Sequence, residues 1–274
     1  MSRVSVHALF DKATFTLTYV VWDELTRDAV VIDPILDYNP ASKLISKGNM
    51  KRVLEFVRFK NLFVHWVLDT HAHADHLSGA RELKLALKHA QFGLSARMIQ
   101  VLETFKKALA WPATLTIRGT HADRLFSDGE EFTAGSLRWQ AIATPGHTAA
   151  CTTYRMGNKL FTGDTIFMPD SGVGRCDFPG GSARDLYKSV TEKLYAFPDS
   201  FEMFVGHDYQ PDGRFLRYRT TVGEQRRSNI HLRAGVSLED FVRFREDRDK
   251  TLNAPHLLEP SLDWNLGAHQ RVPN

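Results

Sequence analysis

Cysteine is scarce in this chain: its 274 residues include two, Cys151 and Cys176. Two cysteines make no disulfide framework, so stability must come from packing and a reducing compartment is expected. Charge of one sign is lacking too. Lys and Arg number 35 against 32 Asp and Glu, a net charge of +3 with the histidines neutral. That excess argues against a nucleic-acid or anionic-membrane partner. No apolar run is long enough to span a bilayer, and the opening Met1-Ser2-Arg3-Val4-Ser5-Val6-His7 lacks the apolar core of a signal peptide. A cytoplasmic protein is the expectation. There is no internal repeat at short period and no low-complexity segment.

What is present is an ordinary globular composition, 43% hydrophobic and 24% charged, long enough to bury a large core. Within it lies one unusual stretch, Thr70-His71-Ala72-His73-Ala74-Asp75-His76. It follows the apolar run Val64-His65-Trp66-Val67-Leu68, which reads as a buried strand, and precedes Leu77 to Ala90, which reads as a helix. An extended loop points His71 and His73 the same way. Asp75 and His76 would come from the first helical turn. Imidazole with carboxylate suits Zn or Fe rather than Mg or Ca.

Around this stretch the pattern is strands, helix, strand, helix, then the same again. Phe15, Leu17, Tyr19 and Val21 alternate as a strand, and Ala29-Val30-Val31-Ile32 forms a second, ending at Asp33-Pro34. Ser42 to Lys60 has roughly helical spacing, interrupted at Gly48-Asn49. Ala96 to Leu109 reads as a helix and Trp111 to Asp123 as an irregular seam. A run of strands follows from Glu131 to Phe161. Ser182 opens a helix to about Tyr195, Phe201 to Val205 is a strand, Thr220 to Asn229 is helical, and Ser237 caps a helix to about Arg248. From Thr251 the chain reads as an arm with little periodicity. Two halves, each a sheet with helices, predict a four-layer α/β/β/α sandwich. It would be one domain over 1–274, with pseudo-halves of about 1–120 and 121–235 and a C-terminal helix and arm over 236–274.

Further donors end later strands. Pro145-Gly146-His147, Gly163-Asp164 and Gly206-His207 each close an apolar run, each with a glycine beside the donor. Together with His71, His73, Asp75 and His76 they predict one metal centre where the halves meet. This inventory leaves one metal or two open. The remaining histidines, among them His231 and His256, read as surface or satisfied core residues.

The order His-x-His-x-Asp-His, Pro-Gly-His, Gly-Asp, Gly-His resembles the metal signature of the metallo-β-lactamase fold. In two-metal members the first site would use His71, His73 and His147. The second would use Asp75, His76 and His207, with Asp164 bridging. Nearly the whole chain, notably Gly174-Arg175-Cys176-Asp177-Phe178-Pro179-Gly180-Gly181 and Gly206-His207-Asp208-Tyr209, is similar to persulfide dioxygenases. Glyoxalase II tends to carry a bulky aromatic where Ala74 stands, and a longer helical C-terminal region.

The resemblance implies oxidation of glutathione persulfide by O2 to sulfite and glutathione, in sulfide detoxification. It implies one Fe(II) per chain on His71, His147 and Asp164, with His73, Asp75, His76 and His207 orienting ligands and water around it. For the carboxylates of glutathione, Arg175 is the first candidate, then Tyr209 as a hydroxyl donor, then Arg226 and Arg227. Cys176 could relay sulfur if its pKa were lowered; packing is the expected role. A homodimer would agree with relatives. The alternatives are a glyoxalase II-type thioester hydrolase, another dinuclear zinc hydrolase acting on lactones or β-lactams, and a metal-stabilised binding protein without catalysis.

Overall fold

Alternation along the strands sorts the side chains into three apolar layers. In the computed structural model, which describes residues 3–109 and 122–267, strand β2 (Thr16–Asp23) is buried on both faces. Its Leu17, Tyr19 and Val21 enter one core, while Val20 and Trp22 enter another. Two faces that are both apolar require cover on both sides.

The first sheet has the order β1-β2-β3-β6-β8-β9, from β1 (Val4–Asp11), β2, β3 (Asp28–Ile32), β6 (Phe63–Leu68), β8 (Gln91–Ser95) and β9 (Arg124–Phe126). β1, β2 and β3 pair antiparallel, and β3, β6, β8 and β9 run parallel. The second sheet has the order β10-β11-β12-β13-β14-β15, from β10 (Glu131–Ala134), β11 (Leu137–Ala143), β12 (Thr152–Met156), β13 (Lys159–Gly163), β14 (Glu202–Val205) and β15 (Arg219–Thr221). Here the parallel pair is β13 with β14. A small sheet, β5-β4-β7, joins β4 (Ile35–Asn39), β5 (Leu44–Ser46) and β7 (Leu77–Ser78).

Between the large sheets lies an aromatic core that includes Trp66, Phe132, Trp139, Tyr154, Phe161 and Phe204. Outside the first sheet pack α1 (Gly48–Phe59), α2 (Ala80–Leu87) and α3 (Met98–Ala108), through residues such as Val53, Leu83 and Phe105. Outside the second pack α4 (Ala183–Lys188), a π-helical continuation over Ser189–Leu194, α5 (Val222–Ser228) and α6 (Leu238–Asp249), through Leu186, Val190, Val222 and Phe241. The layers are therefore helix, sheet, sheet, helix, the sandwich expected from the sequence. Each fully buried Val, Leu or Phe contributes about 1.5–3 kcal/mol. Ser182 and Ser237 cap α4 and α6 as expected, accepting from Asp185 N and Asp240 N.

Several expectations need correction. Strand β1 was not foreseen. Ser42 to Lys60 is not one helix: Leu44–Ser46 pairs with β4, and α1 starts at Gly48. Asp75 and His76 are not in a first helical turn. Leu77–Ser78 pairs with Ile35–Leu36, which delays α2 to Ala80. The arm after Thr251 contains α7 (Leu258–Asn265), whose Leu262, with Leu266 just beyond it, packs into the core beneath the first helical layer. The seam predicted at 111–123 falls mostly outside the described residues.

Candidate metal centre

Every candidate donor sits just past the C-terminal end of a strand or in a loop beside one. His71, His73, Asp75 and His76 follow β6, His147 lies between β11 and β12, Asp164 follows β13, and His207 follows β14. Backbone bonds lock these ends together. Gly206 N donates to Gly163 O at 3.0 Å, Thr152 N to Thr70 O at 2.9 Å, and Leu17 N to Gly206 O at 2.9 Å. The glycines beside the donors have a steric cause. A Cβ on Gly206 would lie 2.5 Å from Asp164 Oδ1, and one on Gly163, whose φ is +49°, would lie 2.3 Å from Thr70 Oγ1.

The structure brings all seven sequence-predicted donors to one place. His71 Nε2 and His147 Nε2 lie 3.8 and 3.7 Å from Asp164 Oδ2. Asp164 Oδ1 lies 3.4 Å from His207 Nε2, which is 3.2 Å from Asp75 Oδ2. One donor group comprises His71, His147 and Asp164; a second comprises His73, Asp75 and His76. His71 Nε2, His73 Nδ1, both ring nitrogens of His76 and Asp164 Oδ1 are buried without a hydrogen-bond partner. Stranding so many buried polar atoms is costly. Metal–ligand bonds of about 2.1 Å would satisfy the Asp164 oxygen and one nitrogen of each of these imidazoles. The residues fit a metal ion.

The hydrogen bonds also set tautomers. Thr70 Oγ1 donates to Asp33 Oδ2 at 2.9 Å and lies 2.9 Å from His71 Nδ1. A hydroxyl has one proton, so His71 Nδ1–H is the donor in the second bond and Nε2 keeps its lone pair for a metal. His147 Nδ1–H donates to Arg175 O at 2.7 Å, with the same result.

The buried carboxylates and imidazoles of the cluster act on one another's protons. Burial opposes a proton on His73, but Asp33, Asp69 and Asp75 outweigh it and push the imidazole up to about 9. Burial and charged His73 push His76 down to about 3, and burial with the neighbouring imidazoles drives His71 well below its usual value. Burial raises Asp164. His71 and His76 are thus neutral and ready to ligate.

A cavity of about 620 Å³ opens over His147, Asp164, Asp75 and His76. Phe15, Phe167, Phe178 and Tyr209 line it, with Tyr209 stacked on His207 at 5.5 Å. Arg175 lines it as well, but its guanidinium is already engaged: Nε and Nη2 donate to Asp177 at 2.6 Å each, and Nη1 to Asn253 O at 2.7 Å. Arg226 is not in the cavity. It anchors α5 to the turn before β14, donating to Asp199 Oδ1 and Tyr195 O. Arg227 leans on the same Asp199. Cys176 is buried, and burial first, then Asp249, pushes its thiol well up, the opposite of the lowered value that a sulfur relay needs.

Cavity residues missed by sequence reasoning are His231, Arg248 and His256. Among the described residues no ion pair engages the Arg248 guanidinium. A signal was available for Arg248, a cation one turn beyond the helical position of Arg245.

Residues 11–207 match the family described as the Metallo-beta-lactamase superfamily. The chain belongs to the metallo-β-lactamase superfamily. Within that superfamily, the Beta-lactamase hydrolase-like protein of Xylella fastidiosa is 43% identical over 261 residues, covering 95% of this chain and 60% of that protein. The chain thus spans less than two thirds of that relative. Glyoxylase B2 of Dictyostelium discoideum is 38% identical, covering 99% of this chain and 92% of that one. The human mitochondrial Persulfide dioxygenase ETHE1 is 29% identical, over 98% and 88%. Among solved structures, ETHE1 from Myxococcus xanthus superposes with a TM-score of 0.77 at 31% identity, over 96% of this chain and 99% of that one. Among the described residues no helix is long and apolar enough to cross a membrane.

Proposed function

We propose that the chain is a persulfide dioxygenase, oxidising glutathione persulfide with O2 to sulfite and glutathione at one Fe(II) held by His71, His147 and Asp164. The observation that carries this reading is the convergence of these two imidazoles and one carboxylate, with two of the three facing the cavity. Such a three-donor face leaves positions free for a sulfur ligand and O2. Ferrous iron supplies the electron-transfer chemistry that O2 needs to react with sulfur. The similarity to the human persulfide dioxygenase and the Myxococcus structure supports the same reading.

The chain's own residues have defined tasks. Thr70 and the Arg175 carbonyl hold His71 and His147 in the ligating tautomer. Phe15, Phe167 and Phe178 present apolar walls that limit water around the reactive sulfur. Arg248 and His256 offer positive or donor groups at the rim for the carboxylates of the thiol carrier.

A second reading, a dinuclear zinc thioester hydrolase, is favoured by one observation. Asp164 turns one oxygen to each side of the cluster, and His76 keeps both nitrogens unpartnered. The relative named Glyoxylase B2 points the same way. The deciding experiment is O2 uptake by iron-loaded protein given glutathione persulfide, with sulfite assayed. One sulfite per O2 consumed supports the dioxygenase. No uptake, together with hydrolysis of a glutathione thioester and two zinc ions per chain, establishes the hydrolase.

A further inference from the structure

The loop that carries four of the seven donors is held from outside by the last helix of the described chain. Residues 69–76 belong to no helix or strand, so their backbone groups need partners elsewhere. Asn265 Nδ2 donates to His73 O and to His76 O, both at 2.8 Å. Its Oδ1 accepts from Ser78 N at 2.8 Å. Beside it, Trp264 Nε1 donates to Ser78 O at 2.9 Å. One side-chain amide thus meets three backbone groups on either side of Leu77. Its orientation is unambiguous, because a flipped amide would set its oxygen against two carbonyls. The helix is itself fixed, since Leu262 and Leu266 are 3% and 0% exposed in the core.

We propose that Asn265, assisted by Trp264, is a positioning residue for the metal centre, so that docking of α7 and binding of the metal stabilise each other. Asn265 touches no donor atom. It acts by fixing the carbonyls of His73 and His76, which sets where their rings and the Asp75 carboxylate between them point. Linkage is reciprocal: if the docked helix raises metal affinity, the metal must tighten the docked helix by the same factor. The proposal rests on the metal-site assignment and on neither choice of reaction.

The test uses the full chain and Co(II), whose visible spectrum reports ligand geometry. Asn265→Ala should bind Co(II) about 10–100-fold more weakly, with an altered spectrum and an unchanged circular dichroism spectrum. Trp264→Phe, which keeps an aromatic ring but loses the bond to Ser78, should show a smaller loss. Ser237→Ala, which removes the cap of α6 at a distance from the loop, should lower the melting temperature and leave Co(II) affinity alone. In the unmodified protein, amide exchange over 258–266 should slow when Co(II) is added. That measurement stands even if Asn265→Ala fails to fold. Unchanged affinity and spectrum in Asn265→Ala, or amide exchange over 258–266 indifferent to Co(II), would overturn the proposal. An unmodified chain that binds no Co(II) would remove the metal-site assignment, and this inference with it.

Discussion

Asp33 holds Thr70 twice, accepting from its backbone amide at 2.7 Å and from its hydroxyl at 2.9 Å. The same carboxylate is 3.2 Å from His73 Nε2. Asp33, at the end of β3 with φ of +48°, is therefore the joint between a buried strand and two of the donors.

Thr70→Val keeps the shape of the side chain and removes the hydroxyl between Asp33 and His71. Metal affinity should fall by about 10–100-fold, since outer partners of ligating histidines carry effects of that size. A competition titration with a chromophoric chelator measures it. Asp164→Ala should abolish stoichiometric metal content altogether, and full metal content in that variant would place the centre elsewhere.

Arg248→Ala and Arg226→Ala should behave differently. Loss of Arg248 should raise KM for an anionic persulfide by about 5–10-fold with kcat nearly unchanged, the size expected for an exposed charge-assisted hydrogen bond. Loss of Arg226, paired with Asp199 far from the cavity, should leave KM alone and cost at most about 1 kcal/mol of stability. Steady-state kinetics on both variants separates them.

Arg245 and Asp249 form a pair whose side chains are 2% and 5% exposed, and Asp249 also accepts from Cys176 N at 2.8 Å. Asp249→Ala strands a buried guanidinium and should cost about 3–5 kcal/mol in urea unfolding of the metal-free chain. Replacing both with apolar residues, Arg245→Met with Asp249→Leu, should recover much of that loss.

His231 accepts from Val173 N at 3.2 Å in the cavity wall. Burial first, then the charges of Arg245 and Arg248, pushes it down to about 4. The unfolded chain takes up this proton near pH 6.5, well before the folded one does. Its contribution is therefore fully present above pH 6.5 and lost as pH falls toward 4. Asn at this position keeps an acceptor without the titration. The melting temperature of His231→Asn should fall less steeply than that of the unmodified protein between pH 6.5 and 4.

The donors were legible because metal chemistry restricts residue type and because three of them sit behind a strand and a glycine. Why the glycine is needed at Gly206 and Gly163 was not legible, since the clash is with Asp164 and Thr70 across the chain. The sandwich followed from alternation. Strand β1 was missed although Val4, Val6, Ala8 and Phe10 alternate, with His7 obscuring the pattern. Arg226 lies outside the site because α5, among the described residues, contributes nothing to the cavity lining, which a sequence does not reveal. Arg175, the first candidate for a substrate carboxylate, is instead engaged by Asp177, two positions on, and by Asn253, 78 positions away. Asn265 had no local signal at all: an isolated asparagine acquires its importance from backbone groups 187 to 192 positions earlier.

The bridge between Thr16 and His207 joins residues 191 positions apart. At about 5–20 residues per second of synthesis, about 10–40 s separates their appearance at the ribosome. His71 and its neighbours therefore emerge long before the carboxylate and imidazole that complete their cluster. The full set of seven donors is thus assembled only after most of the polypeptide has left the ribosome.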